Sequence, residues 1–339
     1  METSPAPQNT GEKSILEKLT NLSNVLSVKG EFQYNYENNS VSGNSNGFNV
    51  SEVTLFYAGE ATRNLSFWVQ ETLAGEGGTE LEEARAQYNF YKDPTHYFAL
   101  RVGQMHTSFE EGFGAFDRPI GISAPLALTA SYPNSSAFSL DASQIGIQGF
   151  YNFDKTRIIG TVLNGIDPTG SGTSFSDDNN AKDFSVGLEH IFNESGSSLS
   201  FYYYHGLQSD NLFTGNDTFE RVALAGNYTY DPIALDLIAG LVYGRDHGSG
   251  TTIESKGAFL ECDKKILDEL FALARYDFLS PNNAGETNND IHAGTIGLVY
   301  TIQEHARLAA EYQYIRDNGL TLVPGKDDHR LTLDFMFLF

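Results

Sequence analysis

From Leu26 to its last residue this chain alternates. Val28, Gly30, Phe32, Tyr34 and Tyr36 are interleaved with Lys29, Glu31, Gln33 and Asn35. The final stretch, HRLTLDFMFLF, sets Leu331, Leu333, Phe335, Phe337 and Phe339 against Arg330, Thr332, Asp334, Met336 and Leu338. A period of two puts successive side chains on opposite faces of a strand, whereas a helix needs a period near 3.6. One face of the last strand is wholly apolar, and the chain ends on a bare phenylalanine. Terminal residues in water tend to fray, but an aromatic at a strand end sits well at a bilayer interface.

The chain has 339 residues, enough for one large barrel or two ordinary domains. It contains no run of about eighteen apolar residues, which excludes a helical membrane protein. A mean hydropathy of -0.31 does not exclude a barrel, because only alternate residues of a barrel strand face lipid. The formal charge of -23 disfavours nucleic acid as a partner, since that needs a basic face. Acidic loops that keep the protein soluble account for this charge; a cation preference of a pore is the sharper reading. Cys262 is the sole cysteine, so no intramolecular disulfide and no thiolate metal cluster is available. Residues 1–25 read as a leader in which Ile15, Leu16, Leu19, Leu22 and Val25 share one helical face, with Ser14 at the N-cap and Glu17 in the capping-box position. This amphipathic helix could rest against a barrel rim, plug the lumen or dock a partner. The opening METSPAPQNTGEK has no apolar signal core and looks like a mature N-terminus behind a removed signal.

Residues 26–339 read as a barrel of about sixteen antiparallel strands. Short turns are expected at Thr62-Arg63-Asn64, Asp93-Pro94, Asp154-Lys155, Glu194-Ser195-Gly196, Asp231-Pro232, Asp263-Lys264-Lys265 and Glu304-His305. They alternate with longer polar loops, such as Asn38 to Gly47 and Asp167 to Asn180. A transmembrane barrel sorts its connections by length in this way and a soluble sandwich does not. Met105 to Ala137 breaks the rhythm with roughly thirty residues that do not alternate, yet its middle, EEGFGAFDRPIGISAPLALTASYP, is apolar and aromatic. The alternation points Lys29, Glu31, Arg85, Arg101, Glu189, Arg221, Asp236, Glu269, Arg275, Asp277, Arg307, Glu311, Arg330 and Asp334 inward. Neither sign forms a ladder, and structural salt bridges or a transverse field both fit this mixture.

Length, strand number, terminal strand and the long third loop together resemble the sixteen-stranded general-diffusion porins of the bacterial outer membrane. The resemblance spans the chain from Leu26 as a pattern, with no short diagnostic motif. It implies an all-β, up-and-down transmembrane barrel in a Gram-negative outer membrane, with both termini periplasmic. It also implies passive diffusion of ions and small hydrophilic solutes without catalysis or cofactor, and subunits that associate as trimers. On the same basis the third loop folds into the lumen, so Glu110, Glu111, Asp117 and Arg118 become constriction candidates, with His106 beside them. Phe339 becomes the signal read by the barrel-assembly machinery. The basic track of phosphate-selective porins is missing. The eight histidines are scattered, and no HExxH, Gly-rich phosphate loop or repeated acidic calcium motif occurs. His190 and His205 lie near strand ends, where an interfacial role fits them, and Asp177-Asp178-Asn179-Asn180 reads as a solvated loop. An alternative is a porin-like sheath around a periplasmic multihaem cytochrome, which needs a lumen free of an inserted loop.

Overall fold

A computed structural model of the chain describes residues 26–39, 43–75, 79–93, 95–106, 121–129, 140, 143–165, 181–209, 216–248, 250–281, 290–303, 305–318 and 327–339. The predicted helix of residues 14–25 and the acidic loop at 177–180 lie outside them.

The strands run β1 (Leu26–Asn39), β2 (Gly43–Thr62), β3 (Leu65–Gly75), β4 (Glu80–Lys92), β5 (His96–Met105), β6 (Gln144–Phe153), β7 (Thr156–Leu163) and β8 (Asp183–Ile191). They continue as β9 (Ser198–Ser209), β10 (Asn216–Tyr230), β11 (Leu235–Gly248), β12 (Thr251–Lys265), β13 (Leu270–Pro281), β14 (Ile291–Ile302), β15 (Ala306–Asp317) and β16 (Asp327–Leu338). Each pairs antiparallel with its sequence neighbours, and β16 pairs with β1, so the sheet closes into a sixteen-stranded barrel without an edge. Closure matters in a bilayer, where an unpaired backbone group finds no water.

The seam is made where the alternation predicts it. Gln33 lies opposite Asp334 and Tyr34 opposite Leu333, and Val28 and Phe339 exchange backbone hydrogen bonds of 2.8 and 3.0 Å. The Phe32 and Phe337 rings stack at 5.9 Å. The Phe337 ring also lies over Gly30, where an added Cβ would come within 2.3 Å of it.

Outward positions stay exposed although they are apolar. Leu241, Ile296 and Leu260 are 58%, 60% and 56% exposed, and similar residues encircle the barrel. Such a band would aggregate in water and is what a lipid-facing surface requires. Aromatic contacts gather where strands leave the apolar band, as in Tyr88–Phe90, Tyr151–Phe153 and Tyr228–Tyr230.

Several expected boundaries move. The predicted loop Asn38 to Gly47 is mostly strand, because β1 and β2 extend as a hairpin whose described ends are Asn39 and Gly43. Asp263-Lys264-Lys265 belongs to β12, and the turn comes after Ile266, as Leu267 and Leu270 bond to one another. The connection after Met105 reaches Gln144, beyond Ala137, and holds the short helix α1 (Leu126–Thr129). That helix interrupts no periodic pattern, so alternation could not reveal it.

Candidate functional site

The inward face of the barrel divides into two walls. On one, strands β9 to β13 turn Tyr202, Tyr204, Phe219, Val242 and Phe259 into the interior. Helix α1 packs against β11, β12 and β13, burying Ala127 and Leu128 in this cluster. The residues just before α1 are fixed by charge. Ile122 and Ser123 donate backbone N–H bonds to the Glu311 carboxylate at 2.9 and 3.2 Å, and the Ser123 hydroxyl donates to it as well. Arg275 donates to the Ser123 carbonyl at 2.7 Å, to Ser123 Oγ at 2.8 Å and to the Ala124 carbonyl at 3.2 Å. Asp277 accepts the Leu126 N–H at 3.0 Å.

Behind this contact Arg275 bridges Glu261 at 3.3 Å and Asp277 at 2.8 Å, with all three side chains fully buried. Taking ions out of water is costly, and it is offset only where the remaining donors and acceptors are also satisfied. The docked residues supply such partners to Arg275 and Asp277, so charge burial and loop docking depend on each other. Arg221 makes a similar two-pronged contact with Asp246, at 3.1 and 3.2 Å, beside the Phe219 ring.

The other wall, β16 and β1 to β7, is mostly polar, with side chains from buried (Thr54, Glu83, Gln148) to partly exposed (Lys29, Glu52), and a small apolar cluster of Ala99, Phe150 and Ile159. Lys29 reaches Glu52 at 2.7 Å, and Arg85 reaches Glu83 at 2.8 Å. Thr54 donates to Glu52 and Thr72 to Glu82, their hydroxyl oxygens 2.9 Å apart, and Glu82 also accepts from Gln70. The ladder here is bulged at Glu31/Phe32, Val53/Thr54, Glu60/Thr62, Gln70/Glu71 and Asn89/Tyr91. The bulge at Gln70/Glu71 lets consecutive residues Glu82 and Glu83 both engage lumenal partners. Gly103 is needed at its place: its φ is +129°, and a Cβ would lie 2.1 Å from the Ala84 carbonyl oxygen. Between this wall and residues 121–124 lies a cavity of about 740 Å³, bordered by Lys29, Glu31, Glu52, Trp68 and Arg307.

Of the inward residues expected from alternation, Lys29, Glu31, Arg85 and Arg101 lie on the open wall. Arg221, Arg275 and Asp277 lie on the docked one, and Glu311, on β15, meets the same docked residues. Near the seam, Arg307 approaches Asp334 at 3.8 Å and Arg330 bonds Asp328 at 2.7 Å. Arg157 approaches Glu189 at 3.7 Å. Glu269 is a correction: it lies in the exposed turn before β13, because that turn falls later than the Lys264-Lys265 pair suggests. Glu110, Glu111, Asp117 and Arg118 lie outside the described residues; His106 is described, its backbone donating to Glu83 at 3.2 Å. Sequence reasoning missed Ser123 as a docking residue and Tyr202, Tyr204, Phe219 and Phe259 as inward aromatics. Strands such as Phe201-Tyr202-Tyr203 are apolar on both faces, which was a signal that something covers the inner one. Among the described residues no cluster of three or more His, Cys, Asp or Glu side chains is placed to hold a metal ion.

The closed barrel, its lipid-facing band and its charged interior define a porin-like transmembrane β-barrel fold. Residues 26–111 match the family model for phosphate-selective porin O and P. The fold resembles an anion-selective porin from Comamonas acidovorans, with a TM-score of 0.72 at 12% identity, covering 93% of this chain and 98% of that one. It also resembles the outer membrane channel DcaP of Acinetobacter baumannii (TM-score 0.69, 12% identity, 93% and 96% covered). A third resemblance is to OmpT of Vibrio cholerae in its trimer form (0.63, 13%, 93% and 99%). No curated protein sequence matches this chain.

Proposed function

We propose that this chain is a porin of the Gram-negative outer membrane, a water-filled channel through which ions and small hydrophilic solutes diffuse passively. The observation that carries the reading is the division of the lumen. Residues 121–129 are held against one wall, and an open space of about 740 Å³ remains against the other, bordered by charged side chains. A sixteen-stranded barrel is wide enough for an aqueous passage. The connection 106–143 narrows that passage, and its Glu110, Glu111, Asp117 and Arg118 are the constriction residues. The short turns face the periplasm, which puts Leu26 and Phe339 on that side. Phe339 serves as the recognition residue for the barrel-assembly machinery, and subunits associate as trimers, as the trimer form of the Vibrio cholerae neighbour suggests.

A cytochrome sheath requires a lumen clear of the barrel's own loop, and the docking of residues 121–129 weighs against it. The test is planar-bilayer recording of the purified barrel. Stable ohmic steps in the absence of any other protein are expected; a silent bilayer, with haem absorbance in the native preparation, sinks the reading. Deleting Phe339 should lower the amount of assembled barrel while leaving the conductance of assembled barrels unchanged.

A further inference from the structure

We propose that the open wall carries a binding station for small organic carboxylates with a flat apolar body, built from Trp68, Arg85 and Arg101, with Phe150 backing Arg101 from behind. The inference rests on the channel reading for its purpose and names the solute class that the channel would favour. On three neighbouring strands, register places Trp68 opposite Arg85 and Gln87 opposite Arg101; on the next, Arg101 stands opposite Gln148. Each guanidinium is backed by a ring. Arg85 lies 5.8 Å from the centre of Trp68, and Arg101 lies 4.5 Å from the centre of Phe150. Arg101 is further fixed by donating to Gln148 and Gln87, both at 3.1 Å. Ring backing and side-chain hydrogen bonds hold a guanidinium plane still, so less freedom is lost when it meets an anion.

A second observation points to the ligand. The Trp68 indole N–H is buried and has no hydrogen-bond partner among the described residues. An indole nitrogen can only donate, and a buried donor without an acceptor is unfavourable. Trp68, Arg85 and Arg101 border the same cavity of about 380 Å³, together with Ala58 and Gln87 and with Glu60 at its exposed margin. A carboxylate there would be met by Arg101, by Arg85 over its bond to Glu83 at 2.8 Å, and by a neutral donor, with Glu60 at the rim. Ring faces and Ala58 give the cavity an apolar part that inorganic phosphate would leave unused. The size suits a small organic ligand.

Trp68 is the chain's sole tryptophan and borders both this cavity and the larger one beside Lys29, so its fluorescence reports binding here and the Arg101→Gln variant assigns the signal to this station. The experiment is titration of the detergent-solubilised barrel with sodium benzoate, with sodium acetate and sodium phosphate as parallel probes. Saturable quenching by benzoate is expected, with half-saturation about tenfold lower than for acetate, and no saturable response to phosphate. Arg101→Gln should raise the benzoate half-saturation about tenfold, the scale of one charge-assisted hydrogen bond. Phe150→Leu keeps every charge and should raise it by a smaller factor, as expected of a positioning residue. Quenching that never saturates, equal responses to benzoate and phosphate, or an unchanged Arg101→Gln titration would each overturn the proposal. Bilayer recording of the same preparation reads the channel function separately. A conducting barrel without saturable quenching loses the station and keeps the porin reading; a silent barrel with saturable quenching does the reverse.

Discussion

The two walls of this barrel use charge in opposite ways. On the docked wall Arg275, Glu261 and Asp277 are fully buried, the strand ladder is regular, and the charges are spent on holding residues 121–126. On the open wall Lys29 and Glu52 remain about one-fifth exposed, and the ladder is bulged repeatedly between β1 and β5. Bulges re-aim side chains and are common beside functional sites. The difference teaches that lumenal charge is no single category. Where a loop backbone satisfies a buried carboxylate, the charge is structural; where water does so, it is available to a passing solute.

Removing the centre of the docked wall should have the largest effect. Arg275→Ala strands Glu261 and Asp277 without their cation and takes three donors from residues 123 and 124. Breaking a buried pair in this way costs about 3–5 kcal/mol. Urea unfolding in detergent micelles should register that loss, and an unchanged midpoint would show that the triad is hydrated rather than sealed. Glu311→Gln is gentler. It keeps the shape of the side chain and weakens the bonds from Ile122 and Ser123, at about 1.5–3 kcal/mol for a hydrogen bond to a charged group. The expected signature is larger and noisier single-channel conductance as residues 121–124 leave the wall; conductance identical to that of the parent would mean that α1 alone holds the loop.

The strands were legible because lipid writes its demand into the sequence at every second residue. The closure of β16 on β1 could be read from Phe32, Tyr34, Phe335 and Phe337 alone, and the Asp154-Lys155 and Asp231-Pro232 turns stand where their residues predict. The docked wall was not legible. Ser123 and Glu311 are 188 positions apart, and nothing local to either names the other. Tyr204 and Phe219 fall on the inward parity of β9 and β10, but nothing local to either says that they stack on one another beside Gln144 and Asp183. Glu82 escaped notice for a different reason, since it is the extra residue of the bulge opposite Gln70/Glu71, and a bulge shifts the parity on which any alternation argument depends. The loop residues 107–120 carry no alternation at all, so their charges could be named as candidates but given no geometry.

On the open wall the same kind of change should alter selectivity rather than stability. Lys29→Gln removes a pair that is about one-fifth exposed and open to solvent screening, so unfolding should shift less than for the fully buried triad. The reversal potential in a salt gradient should move towards cations, because Glu52 then faces the cavity without its counter-charge. A large loss of stability with unchanged selectivity would erase the distinction between the walls.

The smallest effect is expected at Asp93, in the turn between β4 and β5, away from both walls. The Tyr91 hydroxyl donates to it at 2.5 Å, and the Thr95 and His96 N–H groups donate at 2.8 and 2.6 Å. These bonds, that of Tyr91 foremost, hold its carboxyl well below the usual carboxylate range. A depressed folded value means that the ionised form is favoured by folding. The contribution is therefore present above the ordinary carboxylate pKa, near 4. It is lost as pH falls through the lower folded value. Asp93→Asn should lower the urea midpoint slightly at neutral pH, and the gap from the parent should close in strong acid. A gap that persists unchanged at low pH would trace the effect to turn geometry instead of charge. Conductance should be untouched throughout, which makes this variant the control for both walls.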